Sequence, residues 1–271
     1  MKQFTIFGNP VEHSKSPQMH NAGFKFLNIE ANYSKTLLED GDKIKNIFLK
    51  NNFLGANITV PHKEYAFKNA DEVVGLASKI GAVNTYINKD GKIFAYNTDA
   101  PGFLKAIQEF KDINNVLILG AGGTAKAIAV AFKDKGIDTT ILNRSINSRE
   151  FFIDIDCKFF DWDAMRLLFS GDISGISYDL IVNCTSAGLK DDSYPAPLET
   201  LKYLLQNSKY AVDCIYGKET PFLALANKLN ITNKDGEDML LYQGVLAFEL
   251  FTGIKADEQL VEAMRKGLKS T

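Results

Sequence analysis

The segment Gly120–Ala125, with the sequence GAGGTA, has the glycine spacing of a turn that binds the phosphates of a dinucleotide. Gly120 would permit the tight turn, Gly122 would let the backbone approach a pyrophosphate, and Ala125 would let the next helix pack closely. The start of that helix would offer free N–H groups and a partial positive charge. An apolar run over 115–119 precedes the turn and a helical pattern follows it. In this context the motif predicts dinucleotide binding rather than a turn without a ligand.

The residues after the next predicted strand indicate which dinucleotide would bind. An NAD site usually carries an acidic residue there, about 20 residues beyond the turn, to hold the ribose 2′-hydroxyl. This chain has Asn143, Arg144 and Ser145 at that point and no acidic residue. A guanidinium at Arg144 is a natural partner for a 2′-phosphate. The sequence therefore predicts NADP as the cofactor.

Polar side chains of the first hundred residues recur just beyond the predicted strand ends, where open α/β sheets bind ligands. The set comprises Ser14, Ser16, Asn57, Thr59, Lys63, Asn84, Thr85, Asn97, Thr98 and Asp99. Hydroxyls and amides could hold a polyhydroxylated anion, and Lys63 could move a proton. Each residue also has an ordinary interpretation: Ser16 as the N-cap of a helix starting at Pro17, Asn84 and Asn97 as turn residues, Lys63 as a solvated charge. By themselves these residues leave the substrate open.

The elements that would position these residues indicate an α/β fold. Strands are predicted over 3–8, 54–60, 115–119, 138–142, 178–183 and 210–213, with a hairpin over 86–96 around Asp90-Gly91. Strands that alternate with helices imply a parallel sheet in the second half. The tail is predicted to be helical from Asp238 on, with Asp257 capping the last helix. A boundary at 99–102 would give two α/β domains with a cleft between them.

The composition of the 271-residue chain is that of a globular protein, with 45% hydrophobic and 24% charged residues. A net charge of −2 argues against a nucleic-acid or anionic-membrane partner. The first residues do not resemble a signal peptide, so a cytoplasmic location is expected. No histidine or cysteine motif suggests a metal site. We expect Cys157, Cys184 and Cys214 to be small buried side chains in a reducing compartment.

Ten stretches, in chain order, resemble the motifs of shikimate dehydrogenases over essentially the whole length. They are GNPVEHSKSP (8–17), ANITVPHK (56–63), IGAVNT (80–85), NTDAPGF (97–103), LGAGGTAKA (119–127), NRS (143–145), NCTSAGL (183–189), DCIY (213–216), TPFL (220–223) and DGEDMLLYQGVLAFELFTG (235–253). The resemblance implies reversible reduction of 3-dehydroshikimate to shikimate, with NADPH as hydride donor. It also implies that Lys63 and Asp99 form the catalytic acid/base pair.

The same resemblance implies a domain organisation and two sets of binding residues. A substrate-binding domain over 1–99 would be completed by C-terminal helices over 237–271, and a Rossmann-type NADP-binding domain would span 100–236. The implied substrate-binding residues are Ser14, Ser16, Asn57, Thr59, Lys63, Asn84, Asp99, Tyr216 and Gln243. The implied cofactor-binding residues are Gly120, Ala121, Gly122, Gly123, Thr124, Ala125, Asn143, Arg144, Ser145, Thr185, Ser186, Ile215 and Gly236.

Two departures from the family pattern leave alternatives open. Ser148 stands where a second basic residue is common, with Arg149 one position later, and the loop 217–219 is shorter than in many relatives. An NAD-using quinate/shikimate dehydrogenase is one alternative. A non-catalytic regulatory protein that binds shikimate or NADP is a second, which the presence of Lys63 and Asp99 argues against. A folate-pathway dehydrogenase is a third, which Ser14, Ser16 and Gln243 argue against. The sequence leaves open whether the chain is a monomer or a homodimer.

Overall fold

The structure of the protein is a computed structural model that describes residues 1–169 and 176–270. The chain forms two compact units. One, here called the split unit, combines Met1–Lys105 with Leu240–Thr271, and the other, the middle unit, is Ala106–Met239. Each unit contains a six-stranded sheet with helices, which confirms the predicted class of two α/β domains.

The sheet of the split unit is mixed and has the strand order β2-β1-β3-β5-β6-β4. Its strands are β1 (Lys2–Gly8), β2 (Ala31–Leu37), β3 (Gly55–Ile58), β4 (Glu72–Val73), β5 (Thr85–Lys89) and β6 (Lys92–Tyr96). Strand β1 pairs in parallel with β2 and β3, whereas β5 pairs antiparallel with β3 and β6. The predicted hairpin is confirmed, and both Asp90 and Gly91 at its turn have positive φ.

The helices of the split unit come from both ends of the chain. They are α1 (Ser16–Phe26), α2 (Ile44–Lys50), α3 (Lys63–Asn69), α4 (Leu76–Ile80), α5 (Asp99–Ala106), α11 (Glu237–Thr252) and α12 (Glu258–Lys269). The predicted cap at Asp257 is confirmed, because its carboxylate accepts a hydrogen bond from the Leu260 N–H at 2.8 Å. Helix α12 lies close against α1: a Cβ on Gly267 would sit 2.5 Å from that of Ala22.

Two local expectations for the split unit need correction. Helix α1 begins at Ser16 itself, so this serine is not the N-cap; Ser14 Oγ instead accepts the Ser16 N–H at 3.3 Å. The predicted strands also include none at β2. That edge strand is mostly polar, with Asn32, Ser34 and Lys35 among its residues, so it lacks the apolar run that marks a buried strand.

His20 lies at the centre of an aromatic cluster in the split unit. Its ring is fully buried, is stacked on Tyr33 with centroids 4.4 Å apart and lies 6.0 Å from Phe248. Burial lowers the pKa of His20 from 6.5 to about 3. Between these values the unfolded chain binds a proton that the folded protein excludes. Acidification through this window therefore lowers the free energy of unfolding.

We expect His20→Phe to make the protein less sensitive to mild acid. Between pH 7 and pH 5 the wild-type free energy of unfolding should fall by about 2 kcal/mol more than that of the variant. Urea unfolding at the two pH values measures this difference. His13→Asn, which replaces an exposed histidine, is the control for the substitution itself. Equal pH dependence in wild type and His20→Phe would contradict the prediction.

The middle unit has an all-parallel sheet with the strand order β9-β8-β7-β10-β11-β12. Its strands are β7 (Asn115–Leu119), β8 (Asp138–Asn143), β9 (Lys158–Asp161), β10 (Tyr178–Asn183), β11 (Ser208–Asp213) and β12 (Thr232–Lys234). Its helices are α6 (Gly123–Asp134), α7 (Arg149–Asp154), α8 (Trp162–Phe169), α9 (Leu198–Gln206) and α10 (Pro221–Lys228). Counted within the unit, the order is 3-2-1-4-5-6, that of a Rossmann dinucleotide-binding domain.

The predicted strand at 115–119 occupies the centre of this sheet. Residues 116–119 are 0% exposed, as expected for a strand covered on both faces. Helix α6 packs on it through small side chains, including Ala125 and Ala129, which are also fully buried. The central position of β7 brings the glycine turn to the edge where the strand order reverses, and ligands bind at this point in such sheets.

Candidate active site

Lys63 and Asp99 form a shielded ion pair in the split unit. Each is the first residue of a helix, Lys63 of α3 and Asp99 of α5. Lys63 Nζ lies 2.5 Å from Asp99 Oδ2, and the two side chains are only 15% and 9% exposed. In such a shielded place an ammonium can stabilise negative charge that develops on a bound oxygen. The geometry therefore supplies a proton donor beside a carboxylate.

Two asparagines hold the carboxylate of this pair in place. Asn84 Nδ2 donates to Asp99 Oδ1 at 2.9 Å, so Lys63 and Asn84 engage different oxygens of the same group. Asn97 Oδ1 accepts the Asp99 N–H at 3.0 Å. Asn84 also accepts the Thr98 N–H at 2.8 Å. These bonds orient Asp99 from both its side chain and its backbone, so Asn84 and Asn97 are more than turn residues.

Asn57 extends this hydrogen-bond network from β3. Its Nδ2 donates to the Asn84 carbonyl at 3.2 Å and to Thr85 Oγ1 at 3.1 Å. Its Oδ1 accepts the Tyr33 hydroxyl at 2.7 Å. Tyr33 is not among the predicted site residues, because it lies on β2, where no strand was predicted. The available sequence signal was a tyrosine among polar neighbours, because the apolar ring of a tyrosine can be buried while its hydroxyl donates a hydrogen bond.

Gln243 joins the network from the opposite end of the chain. Its Oε1 accepts from Asn84 Nδ2 at 3.4 Å, and its Nε2 donates to the Leu240 carbonyl within α11. Gly102 permits the approach, since a Cβ there would lie 2.7 Å from the Gln243 backbone nitrogen. The structure thus brings five predicted residues into one connected set: Lys63, Asp99, Asn84, Asn57 and Gln243.

The other predicted substrate residues lie outside this set of hydrogen bonds. Ser14 and Ser16 are buried next to each other at the start of α1. Among the described residues, no hydrogen bond connects either serine to Asn84 or Asp99. Thr59 packs against Gly8, where a Cβ would lie 2.4 Å from the threonine methyl group. Tyr216 belongs to the middle unit, and burial raises the pKa of its hydroxyl.

The glycine turn of the middle unit opens onto a cavity of about 600 Å³. Seven predicted cofactor residues line it: Gly120, Ala121, Gly122, Asn143, Arg144, Thr185 and Ser186. The wall also contains residues outside the predicted cofactor set: Trp162, Cys184, Ala187, Asp191, Ser193, Tyr194 and Pro195. Trp162 is the first residue of α8, directly after β9, and the others come from the loop after β10. No recognised short motif marked most of them.

The remaining predicted cofactor residues lie near this cavity without forming its wall. Gly123, Thr124 and Ala125 make up the first turn of α6. Ser145 accepts a hydrogen bond from Asn143 Nδ2 through its carbonyl at 2.9 Å. Ile215 follows β11, and its carbonyl accepts the Gly236 N–H at 3.0 Å.

The cavity fits a dinucleotide by three features. Gly120 has φ +102°, which only glycine adopts readily, and a Cβ on Gly122 would meet open space, so the backbone is accessible to a phosphate. Trp162 supplies an aromatic wall, and its buried indole N–H has no partner among residues 1–169 and 176–270. Arg144 supplies an exposed cation at the wall. The accessible backbone of the glycine turn suits a pyrophosphate, the Trp162 ring suits a base, and the Arg144 guanidinium suits a 2′-phosphate.

We expect Arg144→Ala to weaken NADP⁺ binding by about 10- to 100-fold, because it removes a charge-assisted contact to the 2′-phosphate. Binding of NAD⁺, which lacks that phosphate, should change little. Titration of the Trp162 fluorescence with each nucleotide measures both affinities. Arg149, the exposed first residue of α7, is not part of the cavity wall, so Arg149→Ala is the matched control. A larger loss with Arg149→Ala than with Arg144→Ala would reverse the assignment.

The cysteine expectation holds for one residue and fails for two. Cys157 is buried, as expected. Cys184 and Cys214 are only half-buried, and their sulfur atoms lie 3.7 Å apart. The sequence did not indicate this contact, because the two residues are far apart in the chain and meet only where they follow neighbouring strands of the sheet.

Over residues 1–169 and 176–270, no cluster of three or more His, Cys, Asp or Glu side chains could hold a metal. The described helices include none long and apolar enough to cross a membrane.

A Rossmann strand order with a glycine turn, together with a shielded lysine–aspartate pair, defines the class of two-domain α/β dehydrogenases. Residues 6–86 match the family model of the shikimate dehydrogenase substrate binding domain, and residues 236–268 match that of the shikimate 5'-dehydrogenase C-terminal domain. The shikimate dehydrogenase (NADP⁺) of Helicobacter hepaticus is 43% identical over 97% of this chain and 95% of its own. The chain belongs to the shikimate dehydrogenase family.

Other relatives agree with this assignment. A shikimate dehydrogenase (NADP⁺) of Helicobacter pylori is 41% identical over 93% of each chain. The solved structure of shikimate 5-dehydrogenase from Thermus thermophilus, in complex with NADP(H) and shikimate, superposes with a TM-score of 0.84. It is 32% identical and covers 98% of this chain and 100% of its own.

Proposed function

We propose that this protein catalyses the reversible, NADPH-dependent reduction of 3-dehydroshikimate to shikimate, a step in the biosynthesis of aromatic amino acids. The observation that carries the proposal is the shielded contact of 2.5 Å between Lys63 and Asp99, within a chain of this family. The substrate domain corresponds to 1–99 with 237–271, and the NADP domain to 100–236. The enzyme works in the cytoplasm as a monomer or homodimer, and its three free thiols suit a reducing compartment.

In this proposal Lys63 is the proton donor. When bound, NADPH supplies a hydride to the C3 carbonyl carbon of the substrate. The Lys63 ammonium stabilises the charge that develops on the carbonyl oxygen and transfers a proton to it. In the reverse direction the neutral amine accepts the proton of the C3 hydroxyl. Proton transfer at this one atom accounts for both directions.

Asp99 orients the lysine and accepts a hydrogen bond from a neighbouring substrate hydroxyl. Its second oxygen stays on Asn84, so the carboxylate cannot rotate away from Lys63. Gln243 and Asn57 are placed by the same network and would contact the other ring hydroxyls. Precise placement of donors and acceptors is what allows the site to distinguish one polyhydroxylated ring from another.

The remaining substrate contacts concern the carboxylate. Ser14 and Ser16 carry two adjacent hydroxyl groups, which are suitable donors for a carboxylate. Tyr216 and Thr59 complete the proposed substrate residues. On the cofactor side, Arg144 binds the 2′-phosphate and the glycine turn binds the pyrophosphate.

A spectrophotometric assay with purified protein tests the proposal. Shikimate with NADP⁺ should produce NADPH, while NAD⁺ or quinate in place of either reactant should give far slower turnover. Protein carrying Lys63→Ala is the control for contaminating activity. Absence of turnover with shikimate and either nucleotide would refute the proposal. Comparable rates with NAD⁺ or quinate would instead favour the quinate/shikimate alternative.

A further inference from the structure

Cys184 and Cys214 occupy equivalent places at the ends of neighbouring parallel strands. Each directly follows its strand, β10 or β11, whose last residues Asn183 and Asp213 are register partners. The Cys214 N–H donates to the Asn183 carbonyl at 2.9 Å, which continues the pairing one residue beyond the strands. Both thiols therefore sit at the sheet edge where the cofactor cavity lies.

The distance between the two thiols is suited to a covalent bond. Neighbouring strands lie about 4.8 Å apart, and a disulfide joins Cα atoms roughly 4.4 to 6.8 Å apart. The sulfurs are 3.7 Å apart, and a disulfide bond measures about 2.0 Å, so they must approach by roughly 1.7 Å. Rotation of the two side chains with a small shift of the strand ends can supply this movement.

Both cysteines adjoin backbone that belongs to the cofactor site. Cys184 lines the cavity, and a Cβ on Gly120 would lie only 3.3 Å from its carbonyl carbon. A Cβ on Gly236 would lie 2.3 Å from the Cys214 carbonyl oxygen. Each cysteine backbone therefore lies close to a glycine of the proposed cofactor site, so a shift of either one would be transmitted to the glycine turn or to the segment around Gly236.

We propose that a hydroperoxide converts Cys184 and Cys214 into a reversible disulfide, and that this modification weakens dinucleotide binding to the middle unit. The effect on binding rests on the function proposed above, whereas the formation of the disulfide does not. The bond would draw together the loops that begin at Thr185 and at Ile215, and would pull Cys184 away from its place in the cavity wall.

The chemistry proceeds in two balanced steps. The Cys214 sulfur attacks one oxygen of the hydroperoxide, the O–O bond breaks, and a sulfenic acid and an alcohol, or water, form. Cys184 then attacks the sulfenic sulfur, an S–S bond forms, and water leaves. Two thiols lose two electrons, and the hydroperoxide is reduced.

The first arm of the test asks whether the disulfide forms. Purified full-length protein is treated with hydrogen peroxide, digested without reduction and mapped by mass spectrometry. We expect a Cys184–Cys214 cross-link that dithiothreitol removes. Cys157→Ala, which alters the buried third cysteine, should give the same cross-link, and Cys214→Ser should abolish it. Separate sulfinic acids at Cys184 and Cys214 without a cross-link would overturn the proposal.

The second arm measures binding. NADP⁺ is titrated against the fluorescence of Trp162, the single tryptophan of the chain, in oxidised and reduced protein. We expect oxidation to raise the Kd by about fivefold or more, with full recovery after reduction. Oxidised Cys214→Ser protein should keep the Kd of its reduced form. A cross-link that leaves the Kd unchanged would overturn the effect on binding. Failure of NADP⁺ to bind the reduced protein would contradict the proposed function, while the peptide map would still decide whether the disulfide forms.

Discussion

Replacing Lys63 with alanine is expected to lower kcat for shikimate oxidation by about a thousandfold. The side chain is the proposed proton acceptor in this direction, and the substitution removes the amine that would take the proton of the C3 hydroxyl. Asp99 keeps its hydrogen bond from Asn84, so the rest of the site should stay in place. For that reason the Kd of shikimate should change by less than about tenfold, and the loss should appear in kcat rather than in binding.

Steady-state kinetics and calorimetric titration with shikimate measure these two quantities. Lys68 lies on the same helix, α3, and is exposed, so Lys68→Ala is the matched control and should retain wild-type kinetics. Near-normal turnover in Lys63→Ala would remove this residue from the mechanism. Loss of shikimate binding with normal kcat at saturation would reassign it to substrate binding.

Replacing Asp99 with asparagine is expected to lower kcat by about a hundredfold or more. The substitution preserves the shape and can keep an oxygen towards Asn84, which donates to Oδ1 at 2.9 Å. It then places an NH₂ group at Oδ2, the atom that faces the Lys63 ammonium at 2.5 Å. Two donors cannot hydrogen-bond each other, so Lys63 should turn away from its catalytic position.

A double-mutant cycle separates positioning from independent catalysis. If Asp99 acts mainly through Lys63, adding Asp99→Asn to Lys63→Ala should cost far less than it does in the wild type. Asp42→Asn changes an exposed carboxylate of the same unit and should have no effect on kcat. Thermal unfolding of each variant checks that the fold is intact. Full additivity of the two substitutions would show that Asp99 does not act through the lysine.

The sequence by itself determined the elements whose signals are local. The continuous apolar run at 115–119 predicted a strand covered on both faces, because such a strand has no polar side. The spacing of Gly120 and Gly122 predicted the phosphate turn, because backbone conformation at a tight turn depends on residue type. Asp90-Gly91 predicted the hairpin for the same reason. These inferences needed only neighbouring residues, and the family motifs added the expected chemistry.

Only the tertiary structure decided which distant residues meet. Gln243 hydrogen-bonds Asn84 across 159 positions of the chain. Tyr33 reaches Asn57 from an edge strand that the polar pattern concealed. Cys184 and Cys214 are neighbours because β10 and β11 are adjacent in the sheet. Strand order and helix packing result from the burial of the whole core, which is a sum over many contacts, so no short stretch of sequence specifies them.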